Sequence, residues 1–419
     1  MHVLIIPSEE FLPPQSHLAG IFQKHQALAL QKADCKVGVL SVRQSLSVPM
    51  IVKAMLYRLA GKETNNELRQ KNLGELFSLL YDKTFRIEKF ITRENIEGLD
   101  VLRIEGFYFL PPGKHSNHLG WLKAGKKVFA NYCSVNGTPD VIHAHNAVYG
   151  GMLANQLYKN FRIPYFITEH SSYVARNLES RFILRDIKRS YLQAASLFVV
   201  SDFLGKKIDD LFKEKLRWKV KPNVLDPWIE NAPMPANAKP VSPFLFISIG
   251  SLIPLKRHND LVDAFGKQFS GNKEVQLKIA GDGEMKTALI QQINKLNLQS
   301  QVELLDRLNR EQVLQLIDKA HCLVLCSDFE TFGVVLIEAN SRGLPVIATR
   351  CGGPESIVTE ENGLLCPFGV SDALSEAMKR MYTEFEKYDQ QKIRNRALEL
   401  YGTGPFAKQL IREYEAVIE

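Results

Sequence analysis

At 419 residues the chain is long for a single core, and its 45% apolar and 24% charged content is that of a folded protein, which excludes disorder and points to two domains. No window approaches the run of about 18 apolar residues that a membrane-spanning helix requires. The net charge of +7 is unevenly placed, with 32 Lys+Arg against 20 Asp+Glu in residues 1–225 and 21 against 26 in the remainder.

In chain order, Met1–Pro7 reads as a short strand rather than a secretory leader, because it lacks a basic start and Pro7 ends its apolar run. A cytoplasmic protein, at most peripheral at the inner membrane face, is the expectation. Val3–Ile6 and Val37–Val42 flank a helix through Phe22–Leu30. Residues 44–100 are the least rhythmic part, with Leu56, Leu59, Leu76, Leu80 and Phe90 suggesting helices inserted at the rim. Val101–Ile104, Val141–His143, Tyr165–Thr168 and Leu197–Ser201 are further strands. The clusters Lys123, Lys126, Lys127 and Arg181, Arg185, Lys188, Arg189 suit anionic lipid, an acidic glycan or nucleic acid, or else are solvated helix faces.

Residues 227–243 hold five prolines and read as a linker between a domain spanning 1–226 and another spanning 244–400. In the second half Phe244–Ile249, Val275–Ala280, Val302–Leu304, Leu323–Leu325 and Val346–Ala348 are strands alternating with helices. An amphipathic helix over 406–418 is expected to pack back on the first domain. The alternation predicts an α/β class, two doubly wound parallel sheets with a cleft between them. Ligands of such sheets bind beyond the carboxyl ends of the strands. Six cysteines, at 35, 133, 322, 326, 351 and 366, form no C-x2-C pair and no zinc-type grouping, so reduced thiols and no structural metal are expected.

The densest stretch is Asp328 to Asn340, lying between two apolar strands as the loop and helix of a βαβ unit. Gly333 falls at the helix start, where unpaired N–H groups and the dipole favour an anion. Glu330 on the loop and Glu338 in the second turn flank it with seven residues between them. A phosphate at that helix end, with a carboxylate one turn deeper for ribose hydroxyls, is the arrangement a sugar nucleotide needs. The blander reading makes Glu330 a cap and Glu338 a solvated helix residue.

Gly250-Ser251-Leu252 with Lys256 and Arg257 follows the first strand of the second domain, where a cation would lie near a leaving diphosphate. The alternative there is an ordinary βα turn. Gly281-Asp282-Gly283 is a glycine turn and a poor dinucleotide fingerprint. His143-Ala144-His145 and Thr168-Glu169-His170 each place histidine near a strand exit. His143 fits a core role equally well, and His145 is the better site candidate. Ala19-Gly20 makes a similar glycine turn in the first domain.

Together these segments resemble glycosyltransferase family 4, the retaining, nucleotide-sugar-dependent enzymes of GT-B fold. The likeness is strongest over residues 244–370 and looser in Ala19-Gly20, Pro139 to His145, Thr168-Glu169-His170 and Lys221 to Asp226. It implies transfer of a hexose or N-acetylhexosamine from a UDP- or GDP-linked donor to a glycan or lipid-linked acceptor in cell-surface polysaccharide synthesis. The first domain would serve the acceptor and the second the nucleotide sugar. No cofactor or metal is implied. The basic first domain, for its part, suggests an anionic acceptor or contact with an anionic membrane, and no nucleic-acid partner is expected. By resemblance, Glu338 accepts the ribose hydroxyls and Glu330 a donor-sugar hydroxyl. Phe332, Gly333 and Val334 line sugar and diphosphate with their backbone. His145 sits beside the sugar, Gly20 lines the phosphates, and Lys256 neutralises the leaving diphosphate. Where many members carry arginine this chain has Ser251, which shifts charge stabilisation to Lys256 with help from Arg257. A sugar-nucleotide epimerase or a non-catalytic nucleotide-sugar-binding subunit are the alternatives.

Overall fold

A computed structural model describes residues 1–13, 20–60, 68, 70–108, 117–171, 174, 181–235 and 242–418. The chain forms two compact units. The first is Met1–Val199 with Ile208–Lys221 and Ala407–Glu419, and the second is Val200–Lys207 with Pro222–Phe406.

The first unit is built on strands β1 (His2–Pro7), β2 (Lys36–Ser47), β3 (Ile91–Ile96), β4 (Leu99–Tyr108), β5 (Val141–His145), β6 (Tyr165–Glu169), β7 (Ser196–Val199) and β8 (Trp218–Val220), in the order β3-β4-β2-β1-β5-β6-β7-β8. Every pairing is parallel except β3 with β4. β1 and β5 are buried along their whole length, as parallel strands covered on both faces must be. Leu197–Ser201 shortens to β7, because Val200 and Ser201 pass into the second unit.

Residues 44–100 hold two helices, Val48–Leu59 and Leu73–Phe85, around a small core of their own that includes Ile51, Met55, Leu68 and Leu76. Asn72 and Glu75 close a reciprocal capping box at the second helix. The edge strand β3, whose sequence ITRENI is mostly exposed, was not expected, since it has no inward-facing apolar pattern to announce it. The C-terminal helix Thr403–Ile418 buries Tyr414, which meets the Phe166 ring edge-on at 4.8 Å.

The second unit contains β9 (Phe244–Ile249), β10 (Val275–Ala280), β11 (Val302–Leu305), β12 (Cys322–Leu325), β13 (Val346–Thr349) and β14 (Gly363–Cys366). They pair in the order β11-β10-β9-β12-β13-β14, all parallel. Phe246, Leu277, Val324 and Ile347 anchor its core. The proline-rich stretch opens as a short helix, Pro227–Asn231, in this unit, while 236–241 lie outside the described residues. None of the six cysteines is joined in a disulfide.

One buried cation ties this unit together. Arg342, 1% exposed, follows the helix Val334–Ser341. It donates to both oxygens of Asp318, at 2.8 and 3.0 Å, and to the carbonyls of Ala232 and Pro233, at 2.8 and 2.7 Å. Removing one member of a buried, satisfied pair leaves the other desolvated. Arg342→Ala should therefore lower stability by about 3–5 kcal/mol in urea unfolding. A loss below about 1 kcal/mol would reduce this network to the worth of a surface pair.

Candidate active site

The strand order locates the site in the second unit. The chain winds outward from β9 to β10 and β11, then returns to β12 beside β9. Neighbouring parallel strands whose connections leave in opposite directions open a crevice at their carboxyl ends. Lys256 lies on the loop after β9 and Glu330 on the loop after β12, and their side chains form an ion pair across this crevice. Ser327 donates a second bond to the same Glu330 oxygen, at 2.8 Å. The pair is largely shielded from water, with side-chain exposures of 24% and 15%.

The loop carrying Glu330 is held through its main chain. Asp328 N–H donates to the Leu255 carbonyl at 2.9 Å, and Glu330 N–H to Cys351 at 3.2 Å. Gly353 N–H returns a bond to the Glu330 carbonyl at 2.8 Å. A Cβ on Gly353 would lie 2.3 Å from the Phe332 backbone, so this close approach admits only glycine. Ser201 bonds the Thr331 carbonyl at 2.7 Å, and Thr349 bonds that of Ser327 at 2.7 Å.

This loop delivers the chain to Gly333, which caps the helix Val334–Ser341 at φ 102° and ψ 59°, a left-handed conformation natural to glycine. The first N–H groups of the helix have no partner within it. The Phe332 side chain turns into the core, 2% exposed and edge-on to Tyr401, so only its backbone is available at the helix start.

Glu338 lies one turn deeper. Part of the residue reaches solvent, yet its carboxyl is enclosed, and desolvation pushes its pKa up to about 8. The Asp226 carboxylate adds to that rise and the Arg310 guanidinium opposes it. Arg310 is paired with Asp226 and stands over the Trp228 ring at 5.5 Å. Asp226 also caps the Pro227–Asn231 helix through the Trp228 amide, at 2.8 Å. The sequence reading missed Asp226, Arg310 and Trp228 as neighbours of Glu338. Asp226 and Trp228 share one segment and Arg310 comes from another, and no local spacing links either to Glu338.

The remaining predicted residues of this unit differ in what holds them. Ser251 is exposed on the turn after β9. The turn after β10 approaches this one closely: a Cβ on Gly281 would lie 1.9 Å from the Gly250 carbonyl oxygen, so position 281 requires glycine. Arg257 is in a left-handed conformation at the start of the helix His258–Phe269. Its guanidinium serves Asp260 at 2.8 Å and Asp328 at 3.5 Å, an engagement with two acids that the sequence did not suggest. Val334 is half-buried at the first helical position.

In the first unit the corresponding crevice opens between β1 and β5. Ser8, just past β1, bonds the carbonyl oxygen of His145, at the end of β5, at 2.6 Å and receives Gly150 N–H at 3.0 Å. Gly20 caps the helix Ile21–Lys32 at φ 78°, and its N–H donates to Glu9 at 3.2 Å, while Ala19 lies outside the described residues. His143 is a core histidine: it bonds Tyr414 and Thr168, and burial depresses its pKa to about 3. His145 is fully enclosed, with Nδ1 2.9 Å from His170 Nε2 and with no partner for its own Nε2. Burial holds it well below the usual histidine range, so it is neutral. Next to it Glu169 is buried, accepting from Ala147 N–H, Ser171 N–H and the Tyr191 hydroxyl.

The family model described as Glycosyltransferase Family 4 matches residues 76–227, and the model described as Glycosyl transferases group 1 matches residues 231–398. The chain belongs to the family 4 glycosyltransferases. An uncharacterized glycosyltransferase of Methanocaldococcus jannaschii is 33% identical over 44% of this chain and 47% of its own. A second from that organism is 24% identical over 78% and 87%. N-acetyl-alpha-D-glucosaminyl L-malate synthase of Bacillus anthracis is 28% identical over 41% and 44%. The match thus spans less than half of the first and third of these relatives. Among solved structures, sucrose-phosphate synthase from Thermosynechococcus elongatus superposes with a TM-score of 0.73 at 18% identity, covering 100% of this chain and 99% of that one. Anabaena HepE, solved with UDP, superposes at 0.68 and 16%, covering 100% of both. At these identities the likeness establishes the fold, which is GT-B.

Glu338 carries a pH signature. A carboxyl raised from 4.5 to about 8 on folding holds its proton in the native state after the unfolded chain has released it. Between about pH 4.5 and 8 the protein should therefore lose stability, as pH rises, relative to Glu338→Gln, with no further change above 8. Urea unfolding of both proteins across that range measures the difference, and a pH-independent gap would show that Glu338 titrates normally.

Proposed function

We propose that the protein is a metal-independent, retaining glycosyltransferase that moves a hexose or N-acetylhexosamine from a UDP- or GDP-linked donor to a glycan or lipid-linked acceptor, working at the cytoplasmic side in cell-surface polysaccharide synthesis. The observation that carries this reading is the Lys256–Glu330 pair over the β9–β12 crevice, beside a glycine-capped helix start with Glu338 one turn deeper. HepE, solved with UDP and with UDP-glucose, favours a uridine donor.

In this reading the diphosphate rests on the backbone N–H groups of Gly333 and Val334, where the helix dipole favours negative charge. Glu338 receives the ribose hydroxyls. Glu330, oriented by Ser327 and Lys256, takes a hydroxyl of the donor sugar. Lys256 then stabilises the charge that develops as the bond from the sugar's anomeric carbon to phosphate breaks. Arg257 contributes less to that step, because two carboxylates already share its charge. The family resemblance implies attack on the same face, with the departing phosphate oxygen taking the acceptor hydroxyl's proton while the new glycosidic bond forms. His145 and Gly20 would serve the sugar and the phosphates from the first unit.

Removing a preorganised charge partner of a transition state costs on the order of 10²–10³ in rate. Lys256→Ala and Glu338→Ala should each lower turnover of the accepted nucleoside-diphosphate sugar by at least about a hundredfold while remaining folded. Near-normal turnover in both variants would refute the assignment.

A further inference from the structure

One cation beside Glu338 has no part in the chemistry described above. Arg310 opens the helix Arg310–Lys319 after β11, and a capping box between Asn309 and Gln312 fixes where that helix begins. Its guanidinium is held from two sides: Nη2 pairs with the Asp226 carboxylate, and the group stands over the Trp228 ring at 5.5 Å. Asp226 is itself anchored as the cap of the helix Pro227–Asn231, which packs on the Glu338 helix.

Two features separate this arginine from a purely structural ion pair. The Arg310 side chain is 44% exposed and its partner only 5%, so the carboxylate is sealed behind a guanidinium that still meets solvent. Among the described residues Asp226 is the only acceptor it finds, which leaves donors on Nε and Nη1 for a ligand. The Asp226 charge also decides which ligand suits it. A neutralised guanidinium holds a phosphate poorly, yet it still donates to an uncharged carbonyl oxygen.

With the diphosphate at Gly333 and the ribose on Glu338, the base leaves the ribose at C1′, across the ring from the carbon that leads to the phosphates. Arg310 is the cation whose charge acts on the Glu338 carboxyl, which puts it beside the nucleoside. We infer that Arg310 is a specificity-determining residue that reads the base, donating to the keto oxygen of uracil (O4) or guanine (O6). Cytosine and adenine carry amino groups at those positions, so donor would meet donor. Asp226 and Trp228 hold the guanidinium plane before the nucleotide arrives. The inference rests on the proposed function, because it takes the base to belong to a nucleoside diphosphate held at Gly333 and Glu338.

Calorimetric titration of the full chain with two matched pairs, UDP with CDP and GDP with ADP, tests it. In each pair that binds, the keto member should be tighter by about ten- to a hundredfold. Arg310→Leu combined with Asp226→Asn should reduce that ratio to below about threefold, mostly by weakening the keto member. Asparagine keeps the cap on the Trp228 amide and leaves no buried charge unpaired. Arg310→Lys, which retains the charge beside Asp226 but not the planar fork, should give an intermediate ratio. Ribose and diphosphate are the same in both members of a pair. Damage to the fold or to the setting of Glu338 would therefore weaken both equally and leave the ratio intact. Equal binding of both members by the unaltered protein, tighter binding of CDP or ADP, or a ratio that survives the double change would overturn the inference while the proposed function stands. Binding of none of the four nucleotides would remove the proposed function, and the inference with it.

Discussion

The main chain of one loop, Ser327–Gly333, fixes the start of the helix on which the proposed anion site depends. Five residues from three neighbouring segments bond it: Leu255 and Cys351 accept its N–H groups, Gly353 donates to it, and the hydroxyls of Ser201 and Thr349 donate to its carbonyls. A loop so restrained presents Gly333 and the helix behind it in one position. Electrostatic stabilisation depends on that fixity, because dipoles that must reorient during reaction lose most of their advantage. The β12 strand sets where the loop begins, and Arg342 secures the far end of the helix it leads into.

Around this loop the two acids occupy contrasting surroundings. Glu330 faces a lysine and a serine hydroxyl, a setting that orients a carboxylate for a directional hydrogen bond. Glu338 is enclosed beside another acid, with Arg310 as the opposing charge, and so retains its proton toward neutral pH. A ligand diol that donates to Glu338 would favour the ionised form, coupling nucleotide binding to proton release. The Asp226–Arg310 pair, stacked on Trp228, therefore tunes the second acid from a distance.

The α/β alternation was legible because strands buried on both faces appear as short, uninterrupted apolar runs, and β1, β5, β9, β12 and β13 all carry that signal. The βαβ unit around Gly333 could be read to within a residue or so for the same reason. Three strands escaped notice. β3 is polar and exposed, β8 spans only three residues, and β14 follows a loop rather than an apolar helix pattern. Within the site, the residue types at Lys256, Glu330, Gly333 and Glu338 were visible, but their pairings were not. The salt bridge spans 74 positions, and Asp226 meets Arg310 across 84, separations that only the strand order brings together. Enclosure was equally hidden: the same His-x-His spacing yields one histidine with two hydrogen-bond partners and another with a bare Nε2.

A crystal structure of the protein with UDP bound tests the central claim most directly. The account predicts the β-phosphate within hydrogen-bonding distance of the backbone amides at Gly333–Val334, Lys256 Nζ beside it, and the ribose hydroxyls on Glu338. A nucleotide seated at another strand end, with the Gly333 amides facing solvent, would contradict it.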